Sequence, residues 1–388
     1  MLYLAIDQHS KQLTVNLRNE EGTVMERRQV STRWDAVRTY FEELSQRSAE
    51  SGGYVALVEV CGFNDWLLDR LPKWGCRRVL LVQPEERSRR KTDRRDANEL
   101  GELLWVNRHR LLAGKPIQGL RQVRIPTPQE REDRRLTAVR CDLARQRTRV
   151  VNQIHHLLLR HNLHQECPTR GLRTQGARRW LKQLPLGMTD RLELDQLLER
   201  WELCEKHLAQ ADVRIEVRQA EHPTASIVAS LPGSGALISL AVACRIGPIQ
   251  RFKSPRSLAN YWGLVPRCRN SGEATRRLGS ITKDGSPLVR ALLAQVVLHL
   301  LRRDAWMRGW YKQIKQRRGA KIARVAVMRR LTTILWHMLS KQEAYQMGGP
   351  PRRKLAMAKS SRGAPGKGTS RTPRSLPPDP QPPSPLLC

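Results

Sequence analysis

The order of apolar patterns in the first 106 residues constrains the fold more than any other feature of the chain. Residues 2–7, 13–18 and 23–30 have the length and apolar content of β-strands. Asn19-Glu20-Glu21-Gly22 supplies a turn between the second and third strands. The chain therefore begins with three predicted strands that follow one another as a meander.

Helices and strands alternate over the next part of the chain. Residues 34–48 have helical spacing with apolar side chains on one face, whereas the short apolar run at 54–59 is typical of a strand inside a sheet. The same criteria predict a helix at 64–74, a strand at 78–82 and a helix at 92–106. This order of elements predicts an α/β domain of the ribonuclease-H-like type.

Four acids lie at strand ends and on the last helix of this predicted domain. Asp7 ends the first strand and Glu59 ends the fourth, while Asp93 and Asp96 share one face of a helix that Thr92 can cap. Converging carboxylates repel one another unless a hard cation neutralises them, and two Mg²⁺ ions held this way can activate an attacking oxygen and stabilise a leaving one. Asp93 and Asp96 also have a simpler explanation, because carboxylates in a first helical turn interact favourably with the helix dipole. Together the four acids predict a Mg²⁺ site, in which Mn²⁺ could substitute.

The charge balance indicates nucleic acid as the partner. The 388 residues include 70 Lys and Arg against 36 Asp and Glu, for a formal net charge of +34, and such an excess favours binding to phosphate. The apolar runs are too short to span a membrane and no basic-then-apolar leader opens the chain, so we expect a cytoplasmic protein without membrane contact. Eight scattered cysteines without a Cys-x-x-Cys pair argue against a zinc site or a disulfide framework.

The middle of the chain has the pattern of two long helices. Residues 127–164 are polar with recurrent aliphatic positions and no internal proline beyond the start, and residues 192–218 have the pattern of an antiparallel partner. A less regular stretch, 165–189, connects them. Such a helical arm can dimerise or lie along a duplex, and it can equally be a solvated spacer.

Ser271 and Gly272 lie in a loop that is rich in cations. A loop of this kind suits a hydroxyl that attacks a phosphodiester, because the glycine lets backbone approach the ligand and the cations offset phosphate charge. On local evidence alone it also fits an ordinary turn beside a passive nucleic-acid-binding face. The cations that would hold the strand are Arg267, Arg269, Arg276, Arg277 and Lys283.

Two further segments bracket this loop. Pro232-Gly233-Ser234-Gly235 lies between apolar helical patterns, a helix-hairpin-helix-like arrangement in which backbone N–H groups can approach a phosphate backbone, although such a turn is very often only a turn. After the loop, Ser286 and Pro287 are typical of the start of a helix. Residues 346–388 contain ten of the 23 prolines and a single acid, Asp379, and are expected to form a disordered basic tail.

The ordered set of short motifs resembles the DEDD transposases of the insertion-sequence-110 family and its 1111 subgroup, which are recombinases guided by an RNA encoded in the element. The resemblance extends over roughly residues 3–300. The matching residues are Ala5-Ile6-Asp7, Val58-Glu59-Val60-Cys61-Gly62, Lys91-Thr92-Asp93-Arg94-Arg95-Asp96-Ala97, Leu231-Pro232-Gly233, Gly263-Leu264-Val265-Pro266, Ser271-Gly272 and Arg277-Leu278-Gly279-Ser280-Ile281-Thr282-Lys283-Asp284-Gly285.

The resemblance implies both an architecture and a site. It implies a RuvC-like domain at 1–110, a helical coiled-coil arm at 127–222, a mostly helical C-terminal transposase domain at 223–345, and a tail at 346–388 that matches nothing in the family. Its implied Mg²⁺ ligands are Asp7, Glu59, Asp93 and Asp96, and Ser271 would become covalently joined to a DNA strand. Many members carry two serines before the glycine; here the first position is Asn270.

We therefore expect a transposase that cuts and rejoins donor and target DNA through a phosphoserine intermediate. A guide RNA, a dimeric or tetrameric assembly and association with the bacterial nucleoid follow from the resemblance. Two alternatives remain open: a RuvC-like junction-resolving endonuclease that uses water as its nucleophile, and a non-enzymatic basic nucleic-acid-binding protein in which the acids are structural.

Overall fold

The computed structural model describes residues 1–84, 93–115, 117–268 and 278–348, without the side chains of residues 84, 93–96, 268 and 278. The first third of the chain contains a six-stranded sheet, whose strands are Leu2–Gln8 (β1), Gln12–Arg18 (β2), Val24–Ser31 (β3), Tyr54–Glu59 (β4), Cys76–Pro84 (β5) and Leu120–Val123 (β6). Their order is β3-β2-β1-β4-β5-β6. β2 pairs antiparallel with both β1 and β3, β4 and β5 are parallel to β1, and β6 pairs antiparallel with β5 at the edge.

Helices cover both faces of this sheet. They are α1 (Trp34–Ala49) and α2 (Asp65–Arg70) on one face, and α3 (Asp93–Val106), followed by α4 (Arg108–Leu112), on the other. Successive residues of a strand point to opposite faces. β1 accordingly directs Leu4 and Ile6 into the core beneath α1 and α2, and Tyr3 and Ala5 into the core beneath α3.

α3 lies close to β2 and runs antiparallel to β1. Gly101 permits the close approach, because a Cβ at this position would collide with the side chain of Asn16 on β2. Asn16 donates a hydrogen bond to Asn98 of α3 at 3.3 Å. Further along the helix, the indole of Trp105 donates to the carbonyl oxygen of Glu20, in the turn between β2 and β3. α3 therefore begins near the carboxyl end of β1 and ends near its amino end.

Two long helices form an antiparallel hairpin, which we call the arm. It consists of α5 (Pro128–Arg160) and α7 (Met188–Glu221), with α6 (Gln175–Gln183) in the connection between them. A capping box starts α5, in which Thr127 and Glu130 each accept a hydrogen bond from the other's backbone N–H. Ion pairs fix the register of the two helices along their whole length: Asp133–Arg218 at 3.0 Å, Arg140–Asp212 at 2.8 Å and Arg160–Asp190 at 2.9 Å.

The remaining helices pack around a core of their own. They are α8 (Pro223–Ala229), α9 (Ala236–Ile246), α10 (Pro255–Tyr261), α11 (Pro287–Arg303) and α12 (Ala305–Lys341). A two-stranded hairpin, β7 (Pro266–Cys268) and β8 (Leu278–Ile281), projects between α10 and α11. α12 has non-helical backbone at Gly319 (φ 81°), which divides it into two segments. The chain thus combines a mixed α/β sheet region with a mostly helical C-terminal region.

The base of the arm is fixed to both regions. Arg131 of α5 forms ion pairs with Asp65 and Asp69 of α2. On the other side, the guanidinium of Arg134 donates to the carbonyl oxygen of Cys244 at the end of α9, at 2.9 Å. The neighbouring Arg245 of α9 donates back to the arm, and its burial lowers the pKa of its guanidinium. Helix α5 therefore connects the sheet region to the C-terminal helices.

The observed elements differ from the predicted ones at several places. The predicted helix at 64–74 is α2 followed by a 3-10 turn (Leu71–Trp74), α6 occupies the stretch predicted to be irregular, and β6 was not predicted. The other predicted strands and the two long arm helices are confirmed. Thr92 and residues 349–388, most of the predicted tail, lie outside the described residues. None of the helices in the described ranges combines the length and apolar character needed to cross a bilayer.

Candidate functional site

Asp7 and Glu59 lie side by side at one edge of the sheet. β1 and β4 are parallel, and Ile6 pairs with Val58 one residue before the two acids. Neighbouring strands are about 4.8 Å apart, so the two carboxylates begin from adjacent backbone positions. Each acid lies two residues beyond a residue that faces α3, Ala5 on β1 and Leu57 on β4, and therefore shares its face of the sheet. The structure therefore brings these two predicted ligands together on the α3 face.

The surroundings of the two acids combine burial with a neighbouring histidine and a neighbouring thiol. Asp7 is buried, with a side chain only 10% exposed, and its Oδ2 lies 3.1 Å from Nε2 of His9. Cys61 follows directly in the loop after β4. Burial raises the pKa of its thiol, and the Asp7 and Glu59 carboxylates raise it further. Both carboxylates therefore lie close enough to Cys61 to disfavour the charged form of its thiol.

An amide network holds the loop after β4 against the end of β1. Asn64 is buried, and its side-chain amide donates to Oε1 of Gln8 at 3.0 Å and to the carbonyl oxygen of Glu59 at 3.1 Å. Its oxygen accepts from the backbone N–H of Cys61. Gln8 in turn donates to the carbonyl oxygen of Phe63 at 3.0 Å. Sequence analysis did not identify Gln8 or Asn64, although a polar residue beside Asp7 in a buried strand was a usable signal.

Asp93 and Asp96 lie at the start of α3, the helix that packs on the same face of the sheet as the Asp7 and Glu59 positions. The direction of α3 places this start towards the carboxyl end of β1. Among the side chains that the structure describes, which do not include those of Asp93 and Asp96, no group of three or more acidic, His or Cys residues is positioned to hold a metal ion. The two described acids are therefore half of the predicted set.

The hairpin that carries the predicted nucleophile has a tightly packed base. Gly263 and Gly285 both have positive φ (63° and 72°). A Cβ at Gly263 would collide with the backbone of Asp284, and one at Gly285 with the backbone of Tyr261 at the end of α10. Lys283 N–H donates to the carbonyl oxygen of Gly263 at 3.1 Å. Arg290 of α11 donates to the carbonyl oxygens of Asp284 (2.7 Å) and Trp262 (3.2 Å), and so joins the hairpin base to the helical core. Sequence analysis missed Arg290.

The predicted strand-binding cations are only partly described. Arg267 is exposed on β7 and donates to the carbonyl oxygen of Thr282 at 3.1 Å, and Lys283 is exposed with a positive φ of 60°. Both flank the base of the β7–β8 hairpin. Ser271, Arg269, Arg276 and Arg277 lie outside the described residues.

The turn between α8 and α9 has a packing explanation. Gly233 has a φ of 86°, and a Cβ there would collide with His299 of α11. The hydroxyl of Ser239 donates to the carbonyl oxygen of Gly235 at 3.0 Å, within the first turn of α9. The close contact between this turn and α11 accounts for glycine at 233 without a bound phosphate.

Two family models match most of the regions just described. A DEDD transposase model of IS110 elements matches residues 4–163, which cover the sheet region and α5. A model described as "Transposase IS116/IS110/IS902 family" matches residues 225–312, which run from α8 into α12. Together the two matches include Asp7, Glu59, Asp93, Asp96 and Ser271.

Curated relatives cover a similar span. The transposase for insertion sequence element IS1111A of Coxiella burnetii is 30% identical over 280 residues, which are 69% of this chain and 71% of the relative. A probable family 20 transposase of Pseudomonas aeruginosa is 26% identical over 301 residues, 75% of this chain and 85% of the relative. A putative transposase, y4rJ, of Sinorhizobium fredii is 26% identical over 331 residues, 76% and 80% respectively.

Proposed function

Because the chain belongs to the IS116/IS110/IS902 family of transposases, we propose that it cuts and rejoins DNA with a Mg²⁺-binding acidic tetrad and a serine nucleophile. It is a DNA transposase/recombinase, and DNA is its substrate. The observation that carries the proposed chemistry is the placement of Asp7 and Glu59 on adjacent parallel strands, facing the helix that begins at Asp93.

Distances along the elements support a tetrad. Asn98 of α3 contacts Asn16, whose cross-strand partner is Ala5 of β1. From this level, the start of α3 lies five residues back, about 7.5 Å along the helix axis. Asp7 lies two residues beyond Ala5, about 6.6 Å along the strand in the same direction. The start of α3 and Asp7 therefore lie at a similar distance beyond Ala5, measured along the direction of β1.

The residues present fit Mg²⁺, since adjacent carboxylates are oxygen ligands whose mutual repulsion a hard cation relieves. Asp7, Glu59, Asp93 and Asp96 would hold the metal. When bound, Mg²⁺ activates an attacking oxygen and neutralises charge that develops on the phosphate. The sheet order, with three antiparallel strands followed by two parallel to β1, supports the ribonuclease-H-like (RuvC-like) assignment of this region.

Ser271 is the proposed nucleophile. Its hydroxyl would attack a strand phosphorus, form a phosphoserine ester and release a strand hydroxyl, and a hydroxyl of the partner strand would then displace the serine. Bond energy is conserved, so no other co-reactant is needed. The packed base formed by Gly263, Gly285 and Arg290 supports this role, because it fixes the points at which β7 and β8 leave the helical core. Arg267 and Lys283 would contact the same strand, together with Arg269, Arg276 and Arg277.

The finer parts of the assembly rest on the family resemblance. We propose a guide RNA encoded in the element, a dimer or tetramer in which the arm participates, and the four-part division at 1–110, 127–222, 223–345 and 346–388. A structured non-coding segment beside the gene, with halves that match donor and target DNA, would support the guide.

A suicide DNA substrate tests the tetrad and the serine in one experiment. Asp7→Asn and Glu59→Gln should each lower strand cleavage by about 100-fold or more while DNA binding persists, because phosphate contacts come from cations. Ser271→Ala should bind DNA yet form no covalent protein–DNA species. Mass spectrometry after proteolysis should find a nucleotide on the wild-type peptide that contains Ser271.

Each part of the proposal has its own contrary result. Near-normal cleavage by the Asp7 and Glu59 variants in Mg²⁺ would remove the metal site. Cleavage without an adduct, unaffected by Ser271→Ala, would replace the serine mechanism with a nuclease that uses water.

A further inference from the structure

A groove runs along the outer surface of α1, on the sheet face opposite α3. It has a volume of about 610 Å³ and lies between α1 and the segment formed by α2 and its following 3-10 turn. The residues of its walls that matter here are Trp34, Arg38 and Glu42 of α1, with Arg70, Lys73 and Trp74 opposite. The transposase chemistry proposed above makes no use of this groove.

One end of the groove exposes an aromatic side chain that the core does not require. Trp34 is 48% exposed and is absent from the core cluster beneath α1. The Trp66 ring lies nearly perpendicular to it, with centroids 5.3 Å apart, and the Arg70 guanidinium lies 4.3 Å from its ring centroid. At the other end, Trp74 stacks in parallel on Phe41 at 4.5 Å. Trp34 is therefore held in place while much of its surface remains open to a ligand.

The charges of the groove favour a polyanion. Arg38, Arg70 and Lys73 line it against a single acid, Glu42. Within the described part of the chain, no carboxylate lies at ion-pair distance from any of the three cations. A groove that combines unpaired cations with aromatic rings is typical of proteins that bind single-stranded nucleic acid, because cations follow the phosphates while bases stack on the rings.

The Trp34 end of the groove lies near the carboxyl ends of β1 and β4. β3 ends at Ser31, which pairs with Gln12 beside the end of β1, and Thr32 donates to the carbonyl oxygen of Ser10 at 3.0 Å. Trp34 follows two residues later. Trp66 lies in the first turn of α2, just after β4 ends at Glu59. The acids face α3, so a strand that leaves them passes round the carboxyl end of β1 and β4 and reaches Trp34 on the opposite face of the sheet.

We propose that this groove binds a single-stranded segment of nucleic acid, with an unpaired base against Trp34 and phosphates along Arg38, Arg70 and Lys73. The α1 wall from Trp34 to Gln46 is about 18 Å long, enough for about five stacked nucleotides. The proposal rests on the proposed function only in its assumption that the enzyme handles unpaired strands. DNA and RNA present the same chemistry here.

Binding of labelled 12-nucleotide single strands to the full-length protein tests the groove. Trp34→Ala should weaken the affinity for single-stranded DNA, single-stranded RNA or both by about tenfold, whereas a 12-base-pair duplex should change less than about twofold, because its bases are already stacked. Trp34→Phe should retain most of the affinity, since a phenyl ring still stacks. If Trp34→Ala weakens binding of only one of the two, single-stranded DNA or single-stranded RNA, that nucleic acid is the natural occupant of the groove. With 5-iodouracil in that strand, irradiation should cross-link it to Trp34.

Trp306 provides a matched control. It is also an exposed tryptophan beside an arginine, with Arg330 5.5 Å from its ring, but it lies on α12 in the C-terminal region. Trp306→Ala should leave single-strand affinity unchanged. Unchanged affinity in Trp34→Ala, an equal loss with duplex, or an equal loss in Trp306→Ala would overturn the proposal.

The result is separable from the catalytic proposal, because only binding is measured. If Asp7→Asn cleaves normally, the metal site fails while the groove stands. If Trp34→Ala binds normally, the groove fails while the chemistry stands.

Discussion

Gln8 and Asn64 hold the acidic edge of the sheet through uncharged hydrogen bonds. Asn64 uses both ends of its amide, towards Gln8, Glu59 and Cys61, so the loop after β4 is fixed to the end of β1. Residues of this kind orient ligands without touching the reacting atoms, and their loss commonly reduces metal affinity or activity by about 10- to 100-fold. We therefore propose that Asn64 is a positioning residue of the candidate metal site.

Asn64→Ala should raise the Mg²⁺ concentration needed for half-maximal cleavage by about tenfold, because Glu59 loses its fixed backbone. It should also lower the free energy of unfolding by about 1–3 kcal/mol. Asn107→Ala is the control: Asn107 is equally buried and makes three hydrogen bonds with Leu103 and Gln118, but it lies beyond the far end of α3. A similar stability loss with an unchanged Mg²⁺ requirement is expected there. Equal Mg²⁺ shifts in both variants would contradict a positioning role for Asn64.

At the scale of elements, the base of the β7–β8 hairpin requires glycine at position 285. Gly285 has a positive φ, and its α-carbon faces the carbonyl oxygen of Tyr261 so closely that a methyl group cannot be accommodated. Gly279, on β8 of the same hairpin, differs: a Cβ there would lie 3.7 Å from the carbonyl oxygen of Arg267, an ordinary contact. The structure therefore excludes alanine at position 285 and has room for it at position 279.

Gly285→Ala should destabilise the protein by about 1–3 kcal/mol, because the backbone must shift or adopt a strained conformation. It should also abolish most of the serine–DNA adduct on the suicide substrate, since the hairpin base moves. Gly279→Ala should change both quantities little. Thermal unfolding and adduct yield measure the two effects, and a normal adduct in Gly285→Ala would show that the base does not position the serine.

The elements were predictable from sequence where a pattern was long enough. The arm helices and the strands β1 to β5 followed from periodicity, and Ser286 caps α11 as its sequence predicts. β6 was missed because Leu120–Val123 is a four-residue edge strand with two exposed polar positions, and its pairing with β5 is set by tertiary contacts. The break at Gly319 was missed because the helical pattern continues on both sides of it. Of the candidate site, the adjacent positions of Asp7 and Glu59 were predictable from their strand ends. The Gln8–Asn64 pair and the contact of Arg290 with Trp262 join residues 56 and 28 positions apart, which no local pattern indicates.

At the scale of the molecule, the positive charge is concentrated towards the carboxyl end. α12 contains ten Lys and Arg and no acid, and residues 349–388 contain eight Lys and Arg with one Asp. Each cation that contacts a phosphate releases a counterion, so the salt dependence of binding counts such contacts. The C-terminal residues can therefore contribute affinity that carries no sequence information.

Deletion of residues 349–388 should weaken non-specific binding to duplex DNA and lower the slope of log K against log salt by about 2 or more. Cleavage of a bound substrate should persist. A full-length variant with the eight Lys and Arg of this segment replaced by Gln should behave like the deletion, which separates charge from chain length. Titrations at several salt concentrations measure the slope, and an unchanged slope in both variants would show that the segment does not contact DNA.

The arm is an antiparallel pair of helices whose register is fixed along its length. Its ion pairs keep α5 and α7 in step from Asp133–Arg218 at the base to Arg160–Asp190 near the tip, about 40 Å away at 1.5 Å per residue. Within the described residues, the polar contacts of α5 with α2 and α9 lie at the base, between Arg131 and Thr137. Adding seven residues to each helix would move the tip outwards by about 10 Å and leave the base unchanged. The distance between the tip and the acidic edge of the sheet is thus set by helix length, which can change without any change at that edge.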